Sequence, residues 1–260
     1  MKIQYFLTAI FLILLLTVSC EKPEPPDEPT QKIKYISKVL NKDSLEVCES
    51  YTWDSQKRLK KFNTRLSGWL QECSFFYNAE GLISHVDFFS FEYGYGNYMF
   101  YWKNDNKLDY IDFNLVTANE NQMFQRIMKY EYSFDNESNC SEIILEHYAG
   151  MNYKDKYFFE WEKGNLTKCY TLNGADTSYV TPANNIQYDN NPSWRTTFSK
   201  IPLFHFGVFV YIPSNNNPIK NGYYNFEYDY DEDGYPIRQY YIVDGKKELM
   251  YFFVYEELPE

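Results

Sequence analysis

Residues 228–239 read "YDYDEDGYPIRQ" and show the pattern on which the rest of the chain is built. A large residue, one spacer and an anchor aromatic residue are followed by polar turn residues, and an apolar residue returns five or six positions after the anchor. Large residues that alternate on both sides of a polar cluster are typical of a β-hairpin. Seven stretches fit this pattern, with the anchors Trp53, Tyr77, Trp102, Phe134, Trp161, Tyr188 and Tyr230.

The spacing of the anchors predicts how the hairpins assemble. Most anchors are 24 to 32 residues apart, which is about the length of two strands, a turn and a connection. Aromatic residues make up 20% of the chain and favour pleated, half-buried surfaces. Because an open sheet of more than about ten strands curls or splits, we predict a single all-β domain over residues 33–260. It would be a large curled antiparallel sheet of about seven repeated β-hairpins, either a half-barrel or a superhelical wrap.

The polar turn of this stretch also has the residue order that opens a calcium-binding loop. Asp229, Asp231 and Asp233 are followed by Gly234. The twelfth position, where such a loop places a bidentate glutamate, is Tyr240, and β patterns rather than helices flank the turn. Aspartate is favoured in turns because it tolerates left-handed backbone and bonds its own chain. We therefore predict a turn here, with no metal and no cofactor.

The repeat is interrupted between Trp194 and Tyr223. The apolar run from Ile201 to Ile212 suits either a buried strand or a short helix. We predict a short irregular or helical insertion near residues 198–220 that fills the open face of the sheet. His205 lies in this run, and a lone histidine in an apolar stretch is more typical of a core residue than of a catalyst.

The N-terminal residues predict export and lipid attachment. Residues 1–19 combine a basic start with an apolar run, as in a secretory signal peptide. The segment "LTVSC", which ends at Cys20, resembles a bacterial lipoprotein signal whose cysteine is acylated, although Thr17 stands where leucine is usual; an ordinary secretory signal is the alternative. Residues 20–32 would form the lipidated cysteine and a proline-rich acidic linker. Glu21 after the cysteine favours the outer membrane, with the domain on its periplasmic or surface-exposed face.

Charge and composition argue against several classes of function. The net charge of −11 makes nucleic acid a poor partner. The chain has three histidines and no nucleophile-elbow, zinc-protease, phosphate-loop or dinucleotide-binding pattern, so we do not predict an enzyme. Cys48, Cys73, Cys140 and Cys169 lack the spacing of metal or redox sites. Cys140 suits a small buried position, and a Cys48–Cys73 disulfide stays open because sequence does not give the distance between them.

One segment has the composition of a ligand-binding tip. In "FFSFEYGYGNYMFYW", residues 88–102, two glycines alternate with Tyr93, Tyr95 and Tyr98. A hairpin tip of this kind would present tyrosine rings to a sugar or a peptide, since a flat ring with a polar edge suits either. The alternative is that these rings pack on the neighbouring hairpin.

The repeated stretches resemble YD-type repeats, whose pattern is Tyr-x-Tyr-Asp-x-x-Gly-x-Leu, and the Bacteroidota lipoproteins built from degenerate versions of them. The segment "FEYDYDEDGYPI", residues 226–237, looks like the closing hairpin of that family. The resemblance covers about residues 33–260, and the copies at 132 and 186 lack the turn glycine. It implies an extracytoplasmic β-sheet wrap and no particular chemistry.

These observations lead to three hypotheses of function. The first is a lipid-anchored, non-enzymatic protein of the cell envelope, held to the membrane through Cys20, that binds a glycan or an envelope protein. The second is a structural or assembly component of the envelope. The third is a hydrolase on the concave face of the sheet, which would need two carboxylates about 5 to 10 Å apart.

Overall fold

The computed structural model describes one compact unit within residues 33–260. The signal peptide, Cys20 and the linker predicted for residues 1–32 lie outside the described residues, as does Tyr93. Among the described residues, no helix has the length and apolarity needed to cross a bilayer. The described ranges are 33–43, 45–65, 72–90, 94–116, 124–148, 154–173, 176–184, 186–194, 203–205, 208–211, 214–222 and 224–259.

These ranges form nineteen β-strands, so the all-β prediction is confirmed. The strands are Tyr35–Asn41 (β1), Val47–Trp53 (β2), Leu59–Thr64 (β3), Glu72–Tyr77 (β4), Ile83–Ser90 (β5), Gly94–Trp102 (β6), Leu108–Val116 (β7), Phe124–Phe134 (β8), Cys140–His147 (β9), Lys154–Glu162 (β10), Asn165–Asn173 (β11), Asp176–Asn184 (β12), Gln187–Pro192 (β13), Leu203–His205 (β14), Val208–Tyr211 (β15), Asn216–Asn221 (β16), Tyr224–Tyr230 (β17), Pro236–Val243 (β18) and Lys246–Glu256 (β19).

Seventeen of the strands join one large sheet. From β1 to β12, each strand pairs antiparallel with the next along the chain. Strand β1 also pairs with β19, and the order then runs back through β18, β17 and β16 to β13. Two backbone hydrogen bonds, Ile186 N–H to Thr167 O and Asn215 N–H to Gly164 O, join the start of β11 to the residues just before β13 and β16. The sheet is therefore nearly closed and barrel-like.

Five hairpin turns share one geometry. In each, the N–H of the residue after the anchor donates to the carbonyl four positions on, and the N–H three positions on donates back. The side-chain oxygens of Asp54, Asn78, Asp135 and Asp231 each accept a backbone N–H at 2.9 Å, which is the Asx turn that favours these residues. One residue of each turn has positive φ, and these residues are Lys57, Gly81, Asn106, Ser138 and Gly234.

The carboxylates of the D-x-D-x-D-G turn form ion pairs with a lysine of the same chain. Lys34 Nζ lies 2.7 Å from Asp231 Oδ2 and 2.6 Å from Asp233 Oδ2. These two hydrogen bonds raise the pKa of Lys34 above its ordinary value. Asp229 lies in β17 and accepts a hydrogen bond from the Tyr240 hydroxyl at 2.6 Å. The three aspartates thus serve the turn, the N-terminal strand and the neighbouring strand.

Two parts of the chain depart from the predicted repeat. The copy at 159 turns through two residues with positive φ, Lys163 and Gly164. The copy at 186 forms no such turn, since Tyr188 lies in β13, which pairs with β16 across a long connection. The insertion expected near 198–220 is not helical where it is described: β14 and β15 form a separate two-stranded ladder and β16 joins the main sheet. The aromatic and β-branched residues of this segment favour the extended backbone.

The inner face of the sheet is packed with apolar side chains. Successive residues of a strand point to opposite faces, and in β7 Ile111 and Phe113 are buried on one face while Asp112 lies on the other. A smaller cluster of Ile36, Val39, Tyr51 and Phe253 joins the first strands to the last. The larger cluster includes Val86, Phe88, Tyr98, Phe100, Leu108, Ile111, Phe113, Tyr130, Tyr132, Ile143, Leu145, Tyr157, Phe159 and Leu166.

The anchor aromatics link each hairpin to the one before it. The Trp102 indole N–H donates to the carbonyl of Ile83 at 2.7 Å, and the Trp161 indole N–H donates to that of Cys140 at 2.6 Å. Tyrosine anchors do the same with their hydroxyls: Tyr77 donates to Leu59 and Tyr188 to Leu166, both at 2.6 Å. In each pair the acceptor opens the second strand of an earlier hairpin. We call this set of bonds the anchor ladder.

The variant Tyr77→Phe tests the anchor ladder because it removes one hydroxyl and keeps the ring. We expect its free energy of unfolding to fall by about 1–2 kcal/mol, since the Leu59 carbonyl loses a donor in a half-buried setting. Urea denaturation followed by fluorescence measures the change. The matched control Tyr95→Phe, at an exposed tyrosine, should change stability by less than about 0.5 kcal/mol. Equal losses in both variants would contradict the role of the ladder.

Candidate functional site

The predicted tyrosine tip does not form one surface. Tyr95 is 67% exposed and its ring lies 4.9 Å from that of Phe89. Tyr98 is 3% exposed and packs in the core against Phe88 and Phe113. Because Tyr95 and Tyr98 lie three positions apart in β6, the alternation of the strand turns them to opposite faces. Tyr98 is therefore a core residue rather than a ligand contact.

The glycine in this tip has a packing role. A Cβ atom at Gly96 would lie 2.3 Å from the Phe88 ring and 2.5 Å from the Asn114 carbonyl. Gly96 therefore leaves room for Phe88 under the sheet. The position of this glycine between the tyrosines is therefore explained by packing in the core and not by a binding tip.

A depression lies beside the exposed Tyr95. It has a volume of about 700 Å³, and its lining includes Ser50, Asn63, Glu72 and Phe89. The Phe89 ring thus contacts both the depression and Tyr95. This region is the part of the predicted tip that stays available to a ligand.

The other predicted groups are structural or buried. The seven anchors lie in the sheet, where they pack on the core or bond neighbouring strands. The four cysteines within the described ranges are buried and unbridged, so Cys48 and Cys73 form no disulfide. Burial raises the pKa of the Cys73 thiol to about 12, which makes it unreactive. In the part of the chain that is described, no three metal-ligating side chains lie together.

The outer face of strands β6 to β9 carries a group of aromatic and charged side chains. We call it the β6–β9 platform and define it by Tyr101, Tyr110, Asp112, Arg126, Lys129 and Tyr148. Strand pairing brings these residues together, because Tyr101 lies opposite Tyr110 and Asp112 lies opposite Lys129. Sequence reasoning missed this surface. Its only local signal is the alternation in "LDYIDFNLV" of β7, where polar residues occupy the face opposite the core.

Two parallel tyrosine rings form one side of the platform. The rings of Tyr101 and Tyr110 stack with centroids 4.2 Å apart and an interplanar angle of 15°. Lys129 Nζ lies 4.4 Å from the Tyr110 centroid and 2.6 Å from Glu131 Oε1. Tyr101 is 38% exposed, so a ring face or edge is available to solvent. The stack is a rigid apolar surface with polar groups at its border.

An ion pair lies at the centre of the platform. The Arg126 guanidinium donates to Asp112 Oδ2. Asp112 is only 2% exposed, although it is on the outer face, and its Oδ1 has no hydrogen-bond partner among the described residues. Burial raises the pKa of the Asp112 carboxyl, and the nearby Arg126 opposes that effect. Keeping the Asp112 carboxylate charged in this buried position therefore costs free energy, and its Oδ1 accepts no hydrogen bond from the described residues.

The far side of the platform is formed by Tyr148. The Arg126 Cζ lies 5.6 Å from the Tyr148 centroid, within the range of a cation–π contact. The Tyr148 hydroxyl donates to Glu146 Oε2 at 2.9 Å, and Glu146 pairs with Lys154 at 3.2 Å. Since β6 and β9 are three strand spacings apart, the two exposed aromatic edges are separated laterally by about 14 Å.

The variant Asp112→Asn tests the cost of burying this charge. A folded-state pKa raised above the unfolded value means that the stability contributed by the group is lost as the pH rises through it. We therefore expect the free energy of unfolding of the variant, relative to the unmodified protein, to increase as the pH rises above the range in which an ordinary aspartate ionises, roughly pH 4. Urea denaturation at several pH values measures this difference. A variant that instead loses relative stability as the pH rises would contradict the inferred cost.

Comparisons with known proteins find a likeness in structure but not in sequence. No protein-family model matches the chain, and no curated protein is similar to it in sequence. A solved structure of a porin-like protein from Bacteroides uniformis is similar over 85% of this chain and 98% of that chain, with 13% sequence identity and a TM-score of 0.43. Function must therefore be inferred from the residues themselves.

Proposed function

We propose that the protein is a lipid-anchored component of the outer membrane that binds a glycan, without enzymatic activity, through the β6–β9 platform. The sequence of residues 1–32 supports the anchor and the linker. The five shared turns support the relationship to YD-type repeats. The membrane partner would be reached through acyl chains on Cys20, since two or three chains hold a protein on a bilayer stably.

The observation that carries the glycan proposal is the parallel Tyr101–Tyr110 stack beside partly exposed charged groups. Sugar rings have apolar faces that pack on tyrosine and hydroxyl groups that need donors and acceptors. The platform offers both kinds of contact within one rigid sheet. Its length suits a chain of several sugar rings better than a single small molecule.

A structural or assembly role in the envelope is the second candidate. Within the described ranges, packed apolar residues fill the inner face of the sheet, so this part of the face offers no aromatic-lined groove to a partner. A hydrolase would need paired carboxylates in a cleft on this face, where the buried acid Glu49 accepts a hydrogen bond from the Tyr51 hydroxyl. An envelope protein remains the other class of partner for the outer surface.

Glycan-array binding tests the proposed ligand class. We expect the compact unit of residues 33–260 to bind a subset of glycans, and Tyr101→Ala and Tyr148→Ala to weaken binding at least about tenfold because each removes a stacking face. Tyr95→Ala is the matched control and should bind as the unmodified protein does. Loss of binding in Tyr95→Ala alone would place the site at the depression instead. Silence from the folded protein would favour a protein partner or a structural role.

Lipid attachment is tested separately by Cys20→Ser. We expect the unmodified protein to fractionate with outer membranes and the variant to be released in soluble form, because the acyl chains supply the membrane affinity. Metabolic labelling with a fatty acid should mark only the unmodified chain. Equal labelling of both chains would contradict acylation at Cys20.

A further inference from the structure

The Asp112 carboxylate is placed as a binding group would be placed. Its neighbours in β7, Ile111 and Phe113, belong to the core, so the strand itself turns Asp112 outward. A purely structural acceptor would have its lone pairs satisfied, because an unpartnered buried oxygen costs roughly 1–3 kcal/mol. Asp112 Oδ1 is buried and has no hydrogen-bond partner in the described ranges. The missing partner is a hydrogen-bond donor.

Arg126 supplies the complementary donors. Its side chain is 45% exposed, and one of its nitrogens bonds Asp112 Oδ2. A guanidinium has five N–H donors in a fixed plane, so Arg126 keeps donors that point away from the carboxylate. Acceptor and donors therefore lie side by side, which is the arrangement that reads a hydroxyl group, since a hydroxyl donates once and accepts twice.

The charges around the platform are balanced. Asp112 pairs with Arg126, Glu131 with Lys129 and Glu146 with Lys154. A ligand carboxylate would meet these three acids on a chain with a net charge of −11. A ligand ammonium would meet three bases at the same place. The platform therefore selects neither an anionic nor a cationic ligand. It favours a neutral ligand with a group that donates a hydrogen bond to Asp112.

We infer that Asp112 and Arg126 form the hydroxyl-reading centre of the platform and that its ligand is a neutral glycan, an inference that rests on the glycan-binding function proposed above. Adjacent hydroxyl groups of one sugar ring donate to Asp112 Oδ1 and accept from Arg126, while the ring packs on Tyr101. The Tyr101 hydroxyl and the Arg126 guanidinium both interact with the Asp112 carboxylate in the unliganded protein. The Arg126 side chain is 45% exposed, so its rotation opens the carboxylate to the ligand while Tyr101 stays stacked on Tyr110.

Titration calorimetry with glycans that bind on the array tests this inference. We expect neutral glycans to bind, with an affinity that changes less than about twofold between roughly 0.05 M and 0.5 M salt, because screening acts only on charge–charge attraction. Asp112→Asn should weaken binding at least about tenfold, since the amide brings a donor to a site that needs an acceptor. The matched control Asp87→Asn changes an exposed carboxylate on the neighbouring strand β5 and should leave the affinity unchanged.

The outcomes separate this inference from the proposed function. Binding that is lost in Tyr101→Ala but unchanged in Asp112→Asn keeps the glycan-binding function and overturns the role of Asp112. A preference for acidic glycans that weakens with salt overturns the neutral class. Absence of binding to any glycan by the folded protein overturns both. The denaturation of Asp112→Asn described above shows whether that variant is folded.

Discussion

A buried tryptophan or tyrosine brings a polar hydrogen into an apolar core, and the need to give that hydrogen an acceptor organises this sheet. Four anchors donate this hydrogen to a backbone carbonyl of an earlier hairpin: Trp102, Trp161, Tyr77 and Tyr188. Each bond fixes the position of one hairpin on another as well as burying a ring. Phe134 has no donor, and it contributes its ring alone. The aromatic composition is therefore explained by the fold before any ligand is considered.

The same alternation that fills the inner face decides where recognition can take place. Every second residue of a strand is committed to the core, so polar and charged groups collect on the outside. There the pairing of β6 with β7 and of β7 with β8 sets Tyr101 on Tyr110 and Asp112 beside Arg126. The outer face of these paired strands suits an extended ligand that lies across them. The depression beside Tyr95 is a separate surface at which a ligand could bind.

The sequence predicts the parts of this molecule that depend on local chemistry. Asp54, Asn78, Asp135 and Asp231 cap turns because their side chains bond the backbone within four residues, and such a pattern is visible in the chain. The platform is not visible, because Asp112 and Arg126 are fourteen residues apart and meet only through the pairing of β7 with β8, which shifts between Phe113 and Asn114. Tyr98 is three positions from Tyr95 and therefore lies on the opposite face of β6, and composition does not show that residues 94–102 form one continuous strand.

The pairing of β1 with β19 has a consequence for how the protein comes to be folded. Lys34 and Asp231 are separated by 197 positions in the chain, and yet they form an ion pair at the turn between β17 and β18. Contacts between residues so distant in sequence form slowly, because the loop entropy is lost before the contact is gained. Strand β1 therefore cannot complete its pairing until β19 has been synthesised. Until β19 is present, the edge of β1 that will pair with it has unpaired backbone groups. Because the chain is synthesised from its N-terminus, this edge needs protection from pairing with other chains until synthesis is complete.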